Sequence, residues 1–556
     1  MKNKKLSKLE TITILLISIS IFLYEICFCN LKNIITNGTY NFSLFRVVMY
    51  IIFFILYKKF ANKFIEEARK TLQSKRKIIY IYLAIVIIYT IYKLIIEKNY
   101  YTLTLIILTE LNGLLFILYI SKDYIKNIII TILTLGFIFS ISTDVYHMID
   151  EKKHFLSTLN VAVGNFNFKE ALTDEEFNNI EFESSTVNFA MEYFGKRCSL
   201  NMQKIPENES IFSTPAEYSP ILYIPSSIGI NIARLLGGSM ADVYIAGRMF
   251  NIIAYGILLV IMFKLLPLKK NLFYAIYLMP MLLVLAASYS IDGIVVGVIG
   301  IFIAYILKLY KENYNKIDLK KFITMVILFL LTLICKSGAY IAISLIVFIL
   351  PMIKIMKENV KIRNTVILIL LITLFVGIYQ TFKIATPSEG DVRGGNTSPS
   401  KQIEFLLENP TNIVKLYSNY LRLSVFNFNW YNDFNLKIFF GQYYSVITFL
   451  LFIFILYIAI TDNTYTFNKK EKTITSLSFW ITFFITTFIL YLSYTEVGKL
   501  TISGYQPRYL IPVLPLLLMN INSKKIVNKE TECDYNKISM ISGGLIFLDL
   551  LAMIVR

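Results

Sequence analysis

Histidine and cysteine are the scarcest chemistry-bearing residues of this chain, with two histidines and five cysteines in 556 residues. Cys27, Cys29, Cys198, Cys335 and Cys533 are scattered and lie mostly within apolar runs. That spacing excludes a disulfide framework and any zinc-finger pattern. Acidic residues are also short, 37 against 55 lysines and arginines, for a formal net charge of +18. Long polar stretches are missing too. The longest are 147–215 and 384–441, so no separate soluble domain is expected, and no solenoid-type repeat is present.

Apolar sequence fills the rest. The chain is 56% hydrophobic and 15% aromatic, and runs of about 20 apolar residues, enough to cross a bilayer, recur from end to end. It reads as an all-α polytopic transmembrane protein with about 15 spans. The first run, Ile12 to Cys29, is too long for a removed leader and lacks a small-residue cleavage site, so it is expected as a retained span. Lysines gather in short loops, which reports orientation rather than a nucleic-acid partner. Heavy use of Ile, Lys, Asn and Tyr suggests an AT-rich bacterial genome, so the sequons at Asn37, Asn41 and Asn208 count as chance.

Placing the basic loops inside gives a topology with the N-terminus inside and the C-terminus outside a bacterial cytoplasmic membrane. A span ends at Lys58-Lys59, a basic loop follows to Lys77, and spans near 79–96 and 102–120 return the chain inside. The span 127–146 then delivers Asp150 and Glu151 to the outer face. Loop 147–215, with amphipathic surface helices in 169–190, is expected outside. The stretch 218–236 is apolar but broken by Pro220, Pro225 and Gly229, and reads as re-entrant. Further spans fall near 241–263, 272–288, 292–309, 322–353 (two short ones around Lys336-Ser337-Gly338) and 364–382. After the second outer loop, 384–441, come 443–461, 474–494, 508–522 and 538–555. Three parts follow: a four-span extension, 1–125; a central module, 126–522; and a terminal loop and span, 523–556.

Several charges then share the outer level: Asp150, Glu151, Arg234, Asp292, Lys336 and Arg508, with Arg248 about two turns into its span. A charge in a span costs about 2.5–3.5 kcal/mol on insertion scales and marks a functional candidate. Each taken alone has a plainer role. Arg248 would pair with Asp292 or Asp242, while Lys336 and Arg508 would snorkel. As a set, cations beside a carboxylate pair resemble a site for a phosphorylated lipid headgroup. His147 and His154 stand with Asp144 and Glu151 at a spacing that would line one helix face. Such a face suits a divalent metal, although a solvated helix end is the commoner outcome, and no metal or other cofactor is required by the reading below.

Particular segments resemble a bacterial family of polytopic membrane proteins, domain of unknown function 2142. They are Asp150-Glu151…His154-Phe155…Gly164, Tyr218-Ser219-Pro220…Tyr223-Ile224-Pro225…Gly229, Gly247-Arg248…Asn251, Pro280-Met281…Ala287-Ser288…Asp292, Lys336…Tyr340 and Gly504-Tyr505-Gln506-Pro507-Arg508-Tyr509-Leu510-Ile511-Pro512. Family members usually carry Gly where this chain has Pro507. The likeness covers roughly 126–522. By architecture that family resembles membrane glycosyltransferases of the GT-C fold, which place an acidic motif in the first outer loop of the module. Asp150-Glu151 stands there.

The resemblance implies a polyprenyl-phosphate-linked sugar as donor and a cell-envelope glycan as acceptor. Phosphate leaves without a general acid, so one carboxylate suffices as base. Asp150 is expected in that role, with Glu151 as its partner, and Lys336, Arg508, Arg248 and Arg234 are expected on the lipid phosphate. His154, Asp292, Gln506 and Tyr509 are candidate substrate or metal contacts. Two other classes remain open: a lipid-linked glycan flippase or transporter, and a non-catalytic envelope-assembly protein.

Overall fold

In lipid every backbone N–H and C=O needs an internal partner, and the α-helix supplies it within one segment. The computed structural model describes residues 8–28, 43–148, 150–168, 172–174, 202–204, 218–312, 318–350, 375, 390–391, 394–422, 445–463, 465–521 and 535–555. It is all-α apart from one antiparallel pair, β1 (Leu172–Asp174) and β2 (Met202–Lys204). Among the described residues eight helices are long and apolar enough to cross a bilayer, against about fifteen spans expected. The expected span 364–382 and the amphipathic helices of 169–190 lie almost wholly outside the described residues, as does the second part of loop 384–441, from 423 on. Two units emerge: residues 1–260, 278–294 and 534–556, and residues 261–277 and 295–533.

In the first unit α1 (Lys8–Phe28) is followed by α2 (Leu44–Ile96), α3 (Tyr100–Tyr119) and α4 (Tyr124–Ser142). The basic stretch 58–77, expected as a loop, is helical instead. The whole of α2 lacks Gly and Pro, so nothing in its composition stops the helix. It nevertheless turns back. Tyr57 and Thr90 would stand about 50 Å apart on a straight helix. Yet Tyr57 reaches Asn112 (3.4 Å) and Thr90 reaches Glu110 (2.7 Å), two residues apart on α3. The two arms expected on either side of the basic stretch therefore pack on the same part of α3.

Residues 132–136 of α4 form a π-helical turn, and Asn127 bonds Ser539 on the last helix, α17 (Tyr535–Ile554). Short α5 (Glu151–Ala162) and α6 (Ile224–Leu235) pack together. Residues 220–223 are a 3-10 turn leading into α6, so the stretch expected as re-entrant is a helix entered through proline. The span α7 (Met240–Leu265) follows.

The second unit opens with α8 (Lys270–Tyr277); α9 (Pro280–Ala286), in the first unit, follows a break at Met279, extended ahead of proline. The expected span 272–288 is thus two short helices. Then come α10 (Asp292–Lys311) and α11 (Leu319–Ile334), after which residues 335–349 run as 3-10 turns. Beyond 390 are α12 (Pro399–Glu408), α13 (Thr411–Tyr420), α14 (Ser445–Thr461), α15 (Lys469–Tyr494) and the short α16 (Leu514–Leu518), which is entered through 3-10 turns. A capping box seals the start of α15: Asn468 accepts from the Glu471 N–H while Glu471 accepts from the Asn468 N–H.

Candidate functional site

The first unit gathers the acidic dipeptide at a backbone that few residues adopt. Between α4 and α5 the chain makes a tight turn in which Tyr146 (φ 58°) and Asp150 (φ 60°) are both left-handed. A non-glycine residue there is strained, and such strain tends to persist at functional positions. Asp150 stands at the N-cap position of α5 and is half-buried, while Glu151 behind it is fully buried. The left-handed residues also correct the expected helix face. Positions 144, 147, 151 and 154 are not on one helix, because α5 begins only at Glu151. His147 is exposed, whereas His154 is buried, with Nδ1 2.9 Å from the Tyr223 hydroxyl and its ring stacked on Tyr218.

Arg248 lies two turns into α7 and is wholly buried. Its partner is Glu151, not Asp242 or Asp292. Nε donates to Glu151 Oε1 and Nη2 to Oε2, each at 2.9 Å, a parallel bidentate pair. The other N–H groups go to the carbonyls of Ser140 (3.3 Å), Thr143 (2.7 Å) and Asp144 (2.8 Å), and to the hydroxyls of Thr143 and Tyr244 (both 3.1 Å). The guanidinium also lies 4.7 Å from the Tyr244 ring centre. Glu151 further accepts the backbone N–H of Met148 (3.3 Å) and Tyr289 (3.2 Å). Two buried charges would each be costly alone; here they satisfy one another and the free carbonyls ending α4.

The same side of α7 holds the 288–292 turn. Asn251 donates to the carbonyls of Ser288 (2.7 Å) and Ser290 (2.9 Å), and Ser290 donates to Asp292 (3.0 Å). Tyr289 bonds the Tyr244 carbonyl at 2.7 Å and fills the space where Gly247 has no side chain; a Cβ there would run into its ring. Arg234 is elsewhere. Half-buried, it bonds Asn231, which in turn bonds the Ala162 carbonyl, at the opposite end of α5 from Asp150.

The second unit brings the other expected cations together by itself. Lys336, left-handed at φ 48°, places Nζ 4.3 Å from the Tyr509 ring centre, and the Arg508 guanidinium lies 5.6 Å from the same centre. Tyr340 donates to the Tyr509 carbonyl (3.0 Å), and Gln506 begins the turn, its carbonyl accepting the Tyr509 N–H. Arg508 is buried; Lys336, Gln506 and Tyr509 are half-buried.

The hydrogen-bonded residues of the first unit (Glu151, Arg248, Asn251, Ser288 and Asp292) are drawn from three separate sequence segments, and the profile of one family, a predicted membrane protein (DUF2142), matches residues 133–517. The chain belongs to the DUF2142 family. No curated protein and no solved structure matches it. The matched region contains both the Glu151–Arg248 pair and the Lys336–Arg508–Tyr509 group, whereas α1 to α3 precede it. Tyr244 and Tyr289, which brace the pair in this DUF2142 member, were not expected from the sequence. Their signal was position: Tyr289 sits inside the Ser288…Asp292 segment, and Tyr244 one helical turn before Arg248.

Proposed function

We propose that this DUF2142 protein is a membrane glycosyltransferase of GT-C type, moving a sugar from a polyprenyl-phosphate donor to a cell-envelope glycan outside the cell. The acceptor oxygen attacks the anomeric carbon, the carbon–oxygen bond to phosphate breaks, and the lipid phosphate leaves with the bonding electrons. Asp150 takes the acceptor proton. The observation carrying this reading is the division of labour within the dipeptide. Glu151 is buried and held by Arg248 and two backbone N–H groups, while Asp150 is half-exposed on a strained turn. Glu151 and Arg248 are thus assigned to positioning, so Arg248 is withdrawn from the lipid phosphate. Arg234 is withdrawn as well, on its place at the far end of α5. Lys336 and Arg508 keep the phosphate role, which their convergence on Tyr509 supports. The test is Asp150→Asn: loss of the sugar from the envelope glycan supports the assignment, and full modification removes it.

A lipid-linked glycan transporter is the second reading. Glu110 lies buried midway along α3 and Asp549 lies buried in α17, and carboxyls inside spans are expected of transport pathways. Translocation of a lipid-linked glycan in vesicles without sugar transfer, lost in Glu110→Gln or Asp549→Asn, would favour it.

A further inference from the structure

Loop 384–441 reads as an aqueous outer loop, yet α12 and α13 pack beside a span at membrane depth. α15 carries no charged residue from Thr473 to Thr495, about 23 residues and the length of one bilayer crossing. The Tyr417 ring lies 5.0 Å from that of Phe484, and its hydroxyl donates to the Phe484 carbonyl and stands 3.3 Å from Thr487 Oγ1. The Tyr420 ring lies tilted against that of Phe483, centres 6.2 Å apart. These partners lie seven to eleven residues before Tyr494, the end of α15, or about 10–16 Å into the apolar stretch at 1.5 Å per residue. Leu406 and Leu416 meet Tyr491 and Leu492 nearer that end.

The faces turned away from α15 carry exposed apolar residues among polar ones. Leu407 is 74% exposed and Val414 71%, with Ile403 and Ile413 beside them. This edge continues the exposed apolar stripe of α15, which includes Trp480 and Phe484, through Tyr417. Lys401, Glu404, Glu408 and Lys415 are exposed on the same two helices. Exposed apolar side chains interleaved with charges of both signs suit the boundary between acyl chains and polar headgroups.

We propose that the α12–α13 hairpin lies in the bilayer interface, with Leu407 and Val414 among acyl chains. The inference does not depend on the glycosyltransferase reading. Its test uses the full chain with its five cysteines replaced, reconstituted in phosphatidylglycerol–phosphatidylethanolamine nanodiscs. A nitroxide is attached in turn to Leu407→Cys, Val414→Cys and, as a control beyond the charge-free stretch of α15, the half-buried Glu496→Cys. The expected result is an oxygen-to-nickel-chelate collision ratio several-fold higher at 407 and 414 than at 496. Equal ratios would place the hairpin in water. Exclusion of both reagents would mean that a second copy or a partner protein covers it. Either result overturns the proposal, and Ile403→Cys supplies the same readout should one variant fail to fold.

Discussion

Arg248 grips Glu151 through two parallel 2.9 Å hydrogen bonds, joining the second turn of α7 to the first residue of α5 with neither side chain exposed to solvent. Backbone carbonyls, backbone N–H groups and the Thr143 and Tyr244 hydroxyls enclose the pair, so removing one member leaves the other charge buried. Arg248→Ala is expected to cost about 3–5 kcal/mol, seen as a large fall in thermal stability in detergent. Arg248→Met combined with Glu151→Leu should recover part of that loss without recovering function, because the turn carrying Asp150 is no longer pinned.

Asp150 occupies a conformation that glycine adopts without strain. Asp150→Gly is therefore expected to leave stability unchanged or raise it by about 1 kcal/mol, while abolishing sugar transfer. Thermal melts and glycan analysis of the same strain check both halves. A fall in stability would show that the side chain, not the backbone, holds this turn.

Much of the fold was legible because long apolar runs declare themselves. The spans read near 102–120, 443–461, 474–494 and 538–555 correspond to α3, α14, α15 and α17 with shifts of a few residues. Hydropathy says nothing of hydrogen-bond pattern, so the 3-10 run of 335–349 was not visible as such, whereas the break at Met279 was signalled by Pro280 and passed over. The helical backbone of 58–77 could have been read from its lack of Gly and Pro, while the reversal of the chain there is what its charge implied. At the site, Asp150, Glu151 and Arg248 were legible as misplaced charges. Their pairing was not, since Glu151 and Arg248 are 97 residues apart and the sequence pointed to Asp292 or Asp242 as the arginine's partner.

Lys336 and Arg508 converge on Tyr509 from distant segments. Lys336→Gln or Arg508→Gln should weaken binding of a short-chain polyprenyl phosphate about tenfold, as expected for one charge-assisted hydrogen bond. Calorimetric titration of the detergent-solubilised protein measures this. Unchanged affinity in both variants would assign the cations to packing on the ring alone.

Lys269, in the turn before α8, is buried beside Asp462, bonding its carbonyl, and burial pushes its ammonium below the ordinary 10.5 although Asp462 opposes the shift. Between the folded value and 10.5 the unfolded chain binds more protons, so stability should rise with pH through that window and level off above it. Lys269→Met should flatten the rise. Thermal melts from pH 7 to about 10.5 compare the two.

The role of Asp150 as proton acceptor is tested most directly by the envelope glycan of cells whose sole copy carries Asp150→Asn. Asparagine keeps the size of the side chain and tolerates the left-handed backbone, so the variant should reach the membrane at the normal level. The predicted result is a fall in transferred sugar of about a hundredfold or more. An undiminished glycan at equal protein level would contradict the account.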